Sequence, residues 1–141
     1  MKFSTTFAVL LASVAASFAQ QVIVSPTPGQ VISVNSAFNL TYVTQRSGGF
    51  EESSISIDVV ISDINLSFPF PGGLPIHDLA PTGTTADGSS VYSTFVNPVV
   101  LDGSAVGNRT ISVVEYFNAA GGNPGLDVVF VPVTFVDTPP A

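Results

Sequence analysis

The sequence predicts an all-β chain: a single antiparallel β-sandwich of about seven strands, immunoglobulin- or fibronectin-like. Three observations predict it. Apolar residues recur at every second position through most of the chain. Turn signals rich in Gly, Pro, Asn and Asp separate the apolar runs at short intervals. No segment after residue 19 shows a helical period. A small closed barrel is the alternative arrangement of the same strands.

The elements follow in order. Lys2, the apolar stretch Phe7 to Ala16 broken only by Ser13, and the small residues Ser17 and Ala19 form a secretory signal peptide over residues 1–19. The apolar run is shorter than the roughly 18 to 20 residues a membrane anchor needs. The domain is expected over residues 20–136, with a disordered tail over 137–141; "VDTPPA" is no lipid-anchor signal. These features predict a secreted, extracellular protein with no membrane anchor, and a monomer is expected.

Within the domain, strands are read at Val22 to Ser25 and Val31 to Val34. In "AFNLTYVT", Phe38, Leu40 and Tyr42 share one face, and Asn39 and Thr41 share the other. In "SISIDVVIS", Ile55, Ile57, Val59 and Ile61 point inward while Ser54, Ser56, Asp58 and Ser62 point mostly to solvent, a half-buried strand. Further strands cover Val91 to Val96, Thr110 to Phe117 and Val128 to Val136. In the last, Val129, Val131, Val133 and Phe135 form one face, and Pro132 marks an edge or a bulge because it has no ladder donor.

"FPFPGGLPIHDL", residues 68 to 79, is read as a loop. Prolines 69, 71 and 75 exclude a helix and a central strand. Phe68 and Phe70 are read either as a plug folded back over one open end of the sandwich or, with His77, as a candidate partner-binding loop stiffened by proline so that less order is lost on binding. Phe68, two residues from Leu66, is expected to be buried; Phe70, between Pro69 and Pro71, is expected to be exposed.

Composition narrows the chemistry. Three basic residues face ten acidic ones, a net charge of −7. Loss of Lys2 with the leader leaves Arg46 and Arg109 against the same ten carboxylates, a net −8. Nucleic acid and anionic membrane surfaces are poor partners for such a chain. The absence of cysteine removes thiol catalysis, cysteine-ligated zinc and iron–sulfur chemistry, and leaves packing alone to hold the domain. His77 is the only histidine, so any histidine-dependent mechanism must use it. No nucleophile elbow accompanies it, and with Asp78 it reads as a solvated polar pair.

Glu51, Glu52 and Glu115 are the candidates for paired-carboxylate glycoside hydrolysis. A regular strand would bury Glu115 beside Ile111 and Val113, whereas a bulge at Val113 and Val114 would return it to solvent; it is read as a rim residue. "TADGSS" and "LDGSAVGN" each offer one carboxylate, too few for calcium, and Asp-Gly in both reads as hairpin chemistry. No catalytic residue, metal or cofactor is assigned. Acceptor tripeptides for N-glycosylation start at Asn39, Asn65 and Asn108.

The order of "QVIVSPTPGQVISVNSAFNLTY", "RSGGFEESSISIDVVISD", a Gly/Pro loop and "VVLDGSAVGNRTISVVEYFNAAGGNPGLDVVFVPVTF" resembles the necrosis-inducing secreted protein family of fungi, over residues 21 to 136. The resemblance implies a non-enzymatic effector with a β-sandwich, associated with host cell death and suppression of immunity, and a host protein as partner. The opening "V-x-S-P-x-x-G" is also similar to the N-terminal domain of fungal cell-wall glucan-assembly proteins, although their Ser/Thr-rich stalk is missing. That second resemblance implies an extracellular carbohydrate- or cell-wall-associated protein with a wall polysaccharide as partner.

Overall fold

The computed structural model describes residues 21–47, 53–63, 73–98, 106–119 and 121–137, and these residues are mostly β-strand, with no α-helix among them. The strands are β1 (Val22–Ser25), β2 (Val31–Ser33), β3 (Phe38–Ser47), β4 (Ser53–Asp63), β5 (Gly73–Leu79), β6 (Gly83–Thr84), β7 (Ser89–Val96), β8 (Gly107–Asn118) and β9 (Pro124–Val136). They form a four-stranded sheet in the order β1-β3-β7-β6 and a five-stranded sheet in the order β2-β9-β8-β4-β5. All ladders are antiparallel except β2 on β9, which is parallel.

Nine strands stand among the described residues where seven were expected; of the two additions, β5 lies in the segment read as a loop and β6 in a stretch given no element. Residues 73–79 of the proline-rich segment are β5, an edge strand and not a loop. Proline is tolerated there because an edge strand has one side without a partner. Its pairing with β4 shifts register twice: Leu74 and Pro75 together face Val60, and His77 and Asp78 together face Asp58. β6 is two residues long, too short to carry an alternating pattern, and the turn from it to β7 uses Gly88 at φ 88°.

The side chains that alternate inward fill one core between the sheets. The four-stranded sheet contributes Ile23, Phe38, Leu40, Tyr42, Tyr92 and Val96. Ile57, Val59, Ile61, Ile111, Val113, Val131, Val133 and Phe135 meet them from the five-stranded sheet. Phe38 and Phe135 approach across the gap with ring centroids 6.1 Å apart, while Tyr42 and Tyr92 pack side by side at 5.9 Å. Each large apolar side chain so buried stabilises the fold by about 1.5–3 kcal/mol.

Three features depart from the expected pattern. Ile55, expected inside, is exposed because a register shift between Ser54 and Ser56 makes it the extra residue of a bulge. The outer face of β4, expected to meet solvent, is buried at Ser56, Asp58 and Val60, since β4 lies between β5 and β8. Pro132 lies inside a regular β8–β9 ladder, yet costs that ladder nothing. Its carbonyl accepts Gly29 N–H at 2.8 Å on the side away from β8, and the N and C=O of one strand residue point the same way. The missing donor is therefore on the side that only the short β2 segment flanks.

Candidate binding surface at the β5 bulge

The bulge facing Asp58 places two consecutive β5 residues on the outer side of the sheet while Ile76 and Leu79 both reach the core. Asp78 takes a left-handed conformation there, φ 54°, a region that short polar side chains tolerate better than most. Asp58 fastens the arrangement. Its Oδ1 accepts the Asp78 N–H at 2.8 Å and stands 2.8 Å from Nδ1 of His77; its Oδ2 accepts the Tyr116 hydroxyl at 3.0 Å. Three strands, β4, β5 and β8, thus converge on one carboxylate.

The exposure of this pair is unequal. The Asp58 side chain is 9% exposed and the His77 side chain 71%. A carboxylate oxygen only accepts, so the neutral imidazole must carry its proton on Nδ1, and Nε2 faces outward as an acceptor. The phenol of Tyr116 is raised above its ordinary value, first by burial, then by its bond to Asp58 and by the charges of Asp58 and Asp78. It stays a donor through the neutral range. The partner of His77 is Asp58 on the neighbouring strand; Asp78, its sequence neighbour, contributes a backbone N–H instead.

A second polar cluster lies inside. Glu115 is 0% exposed, not a rim residue, because β8 runs without a bulge and keeps residue 115 on the face of Ile111 and Val113. Its Oε2 accepts the Tyr42 hydroxyl at 2.6 Å and the Gln21 amide at 3.2 Å; the same amide reaches Asp127 Oδ2 at 2.9 Å. Tyr92, whose hydroxyl lies 2.5 Å from that of Ser54, has its phenol raised by burial first, with a further contribution from Glu115 against the lowering effect of Ser54. These groups join strands of both sheets.

The other candidates separate. Asn39 is exposed on the outer face of β3, with its amide donating to Thr41 Oγ1 at 3.2 Å. Asn108 is exposed near the start of β8, and its side-chain Oδ1 accepts the Thr134 hydroxyl at 3.0 Å. Asn65, Phe68, Phe70, Glu51 and Glu52 lie outside the described residues. Among the described residues no three His, Asp or Glu side chains are grouped to hold a metal ion. Asp58 and Tyr116 were missed as site residues; a lone Asp inside a Val/Ile strand was the available signal. No protein-family model matches the chain, and no curated protein matches it either.

Proposed function

We propose that this chain is a small secreted, non-enzymatic binding protein of the effector type, acting on a host protein through the β5 bulge and the segment that leads into it. The observation that carries this reading is the His77 imidazole: exposed, yet fixed through Nδ1 on a buried carboxylate. A polar group already held in place loses little freedom on binding, which is where recognition gains affinity. Phe70, which precedes it in sequence and is the ring expected to be exposed, is the aromatic contact this reading assigns to the interface.

The same proposal takes the scaffold as immunoglobulin-like. The orders β1-β3-β7-β6 and β2-β9-β8-β4-β5 support it, since they match an ABED sheet and a GFC sheet extended at both edges. Glycosylation is proposed at Asn39 ahead of Asn65. Asn39 is directly opposite Phe95, which is 75% exposed, so a glycan there would cover an apolar ring. Glycopeptide mass spectrometry finding Asn65 occupied and Asn39 bare would reject that order.

The test is capture from host and fungal extracts by the purified protein, compared with His77→Ala and Phe70→Ala. One partner retained by the wild type and lost by both variants, at unchanged melting temperature, is the expected result. Co-sedimentation with insoluble glucan or chitin would instead support the alternative, a cell-wall-associated protein. Capture that neither variant alters would remove the β5 bulge from the account.

A further inference from the structure

We propose that two copies of this chain pair edge to edge through residues Leu126, Val128 and Phe130 of β9, joining their five-stranded sheets into one. The inference does not depend on the functional reading above. It starts from backbone groups. Pro132 and Thr134 direct theirs away from β8, toward Gly29 and Gln30. The β8–β9 register is unbroken from Pro124 to Phe135, so every even residue of β9 does the same. Beyond Pro132, β2 pairs only with residues 134 to 136. Among the described residues, therefore, the N–H and C=O groups of Leu126, Val128 and Phe130 form an open sheet edge.

The other edges are blunted. β5 carries Pro75 and two register shifts, β6 has two residues, β2 has three, and β1 has four with a shift of its own. Such features discourage pairing between molecules. Residues 126 to 130 contain no Pro, Gly or Lys and no shift. Their outer-face side chains form an apolar row, with Leu126 exposed, Val128 half-buried and Phe130 70% exposed.

The occupant is a second copy because the segment complements itself. An antiparallel two-fold through Val128 sets Val128 against its equivalent and Leu126 against Phe130 of the second copy. Each such pair exchanges both backbone bonds and aligns apolar side chains on one face. Charge points the same way. The chain is strongly acidic, yet this stretch holds one charged residue, Asp127, whose side chain is drawn to Gln21. In the two-fold register Asp127 faces Val129 of the second copy, not another carboxylate. This is a place where two acidic molecules meet without opposed charges. The sequence reading expects a monomer; the direction of backbone groups along β9, on which the pairing rests, is not legible in composition.

Sedimentation equilibrium on the purified protein tests the proposal, alongside Val128→Pro and Phe130→Lys. Val128→Pro removes an N–H only on the open side, as Pro132 already does. Phe130→Lys places a charge on the row without touching the core, and decides the matter if the proline variant does not fold. The wild type should dimerise with concentration, and each folded variant should dissociate at least about tenfold more readily. A wild type that stays monomeric to about 1 mM, leaving the edge to a strand from some other protein, would overturn the proposal. So would a dimer that both substitutions leave intact.

Discussion

Two carboxylates stand in adjacent rows of the five-stranded sheet and on opposite faces of it. Glu115 pairs with Ile57 across the β4–β8 ladder and points inward; Asp58 pairs with Val114 one row on and points outward. Each accepts one tyrosine hydroxyl, Tyr42 for Glu115 and Tyr116 for Asp58. The inner tyrosine belongs to the other sheet, so that bond ties the layers together. The outer one belongs to the same sheet, so that bond ties neighbouring strands and leaves His77 held at the surface. One chemical device serves cohesion on one face and presentation on the other. What distinguishes them is whether the donors left behind after its removal can reach water.

That difference predicts unequal costs. Glu115→Ala should be the most damaging, at about 3–5 kcal/mol by chemical denaturation, because it strands buried donors and leaves a void. Tyr42→Phe removes one bond to the same carboxylate and should cost about 1.5–3 kcal/mol. Asp58→Ala should cost only about 1–2 kcal/mol, since Tyr116 and His77 regain water when their acceptor is lost. If Asp58→Ala proves as costly as Glu115→Ala, the contrast between the faces is void.

A smaller, reversible effect lies in alkali. The phenol of Tyr92 is raised in the folded protein above the ordinary value of 10.0. Its contribution to stability is therefore complete below the unfolded value and is lost as pH rises from there through the folded one. Ultraviolet titration should show this tyrosine ionising late, with melting temperature falling over the same interval. Ionisation of all three tyrosines together, at the ordinary value, would contradict the burial of Tyr92.

Much of the framework was legible in the sequence because it depends on local alternation. Phe38, Leu40 and Tyr42 point inward as their spacing requires, and Asn39 points outward. β5 was not legible, because Pro75 forbids only a central position and the bulges that accommodate it are a property of pairing with β4. Glu115 shows a different limit. Its spacing placed it inside, and its charge argued against that; the partners that settle the conflict, Tyr42 and Gln21, are 73 and 94 residues away. The partner of His77 is hidden for the same reason, 19 residues back across a bulge.

The claim that Asp58 presents His77 is tested most directly by the tautomer of that ring. Because the chain has one histidine, its imidazole nitrogens give a single set of resonances. In nitrogen-15 spectra recorded where the ring is neutral, Nδ1 should carry the proton and Nε2 should be bare, with the assignment reversing or averaging in Asp58→Ala. A wild-type ring protonated mainly on Nε2, unaltered by loss of Asp58, would show that the carboxylate does not hold it.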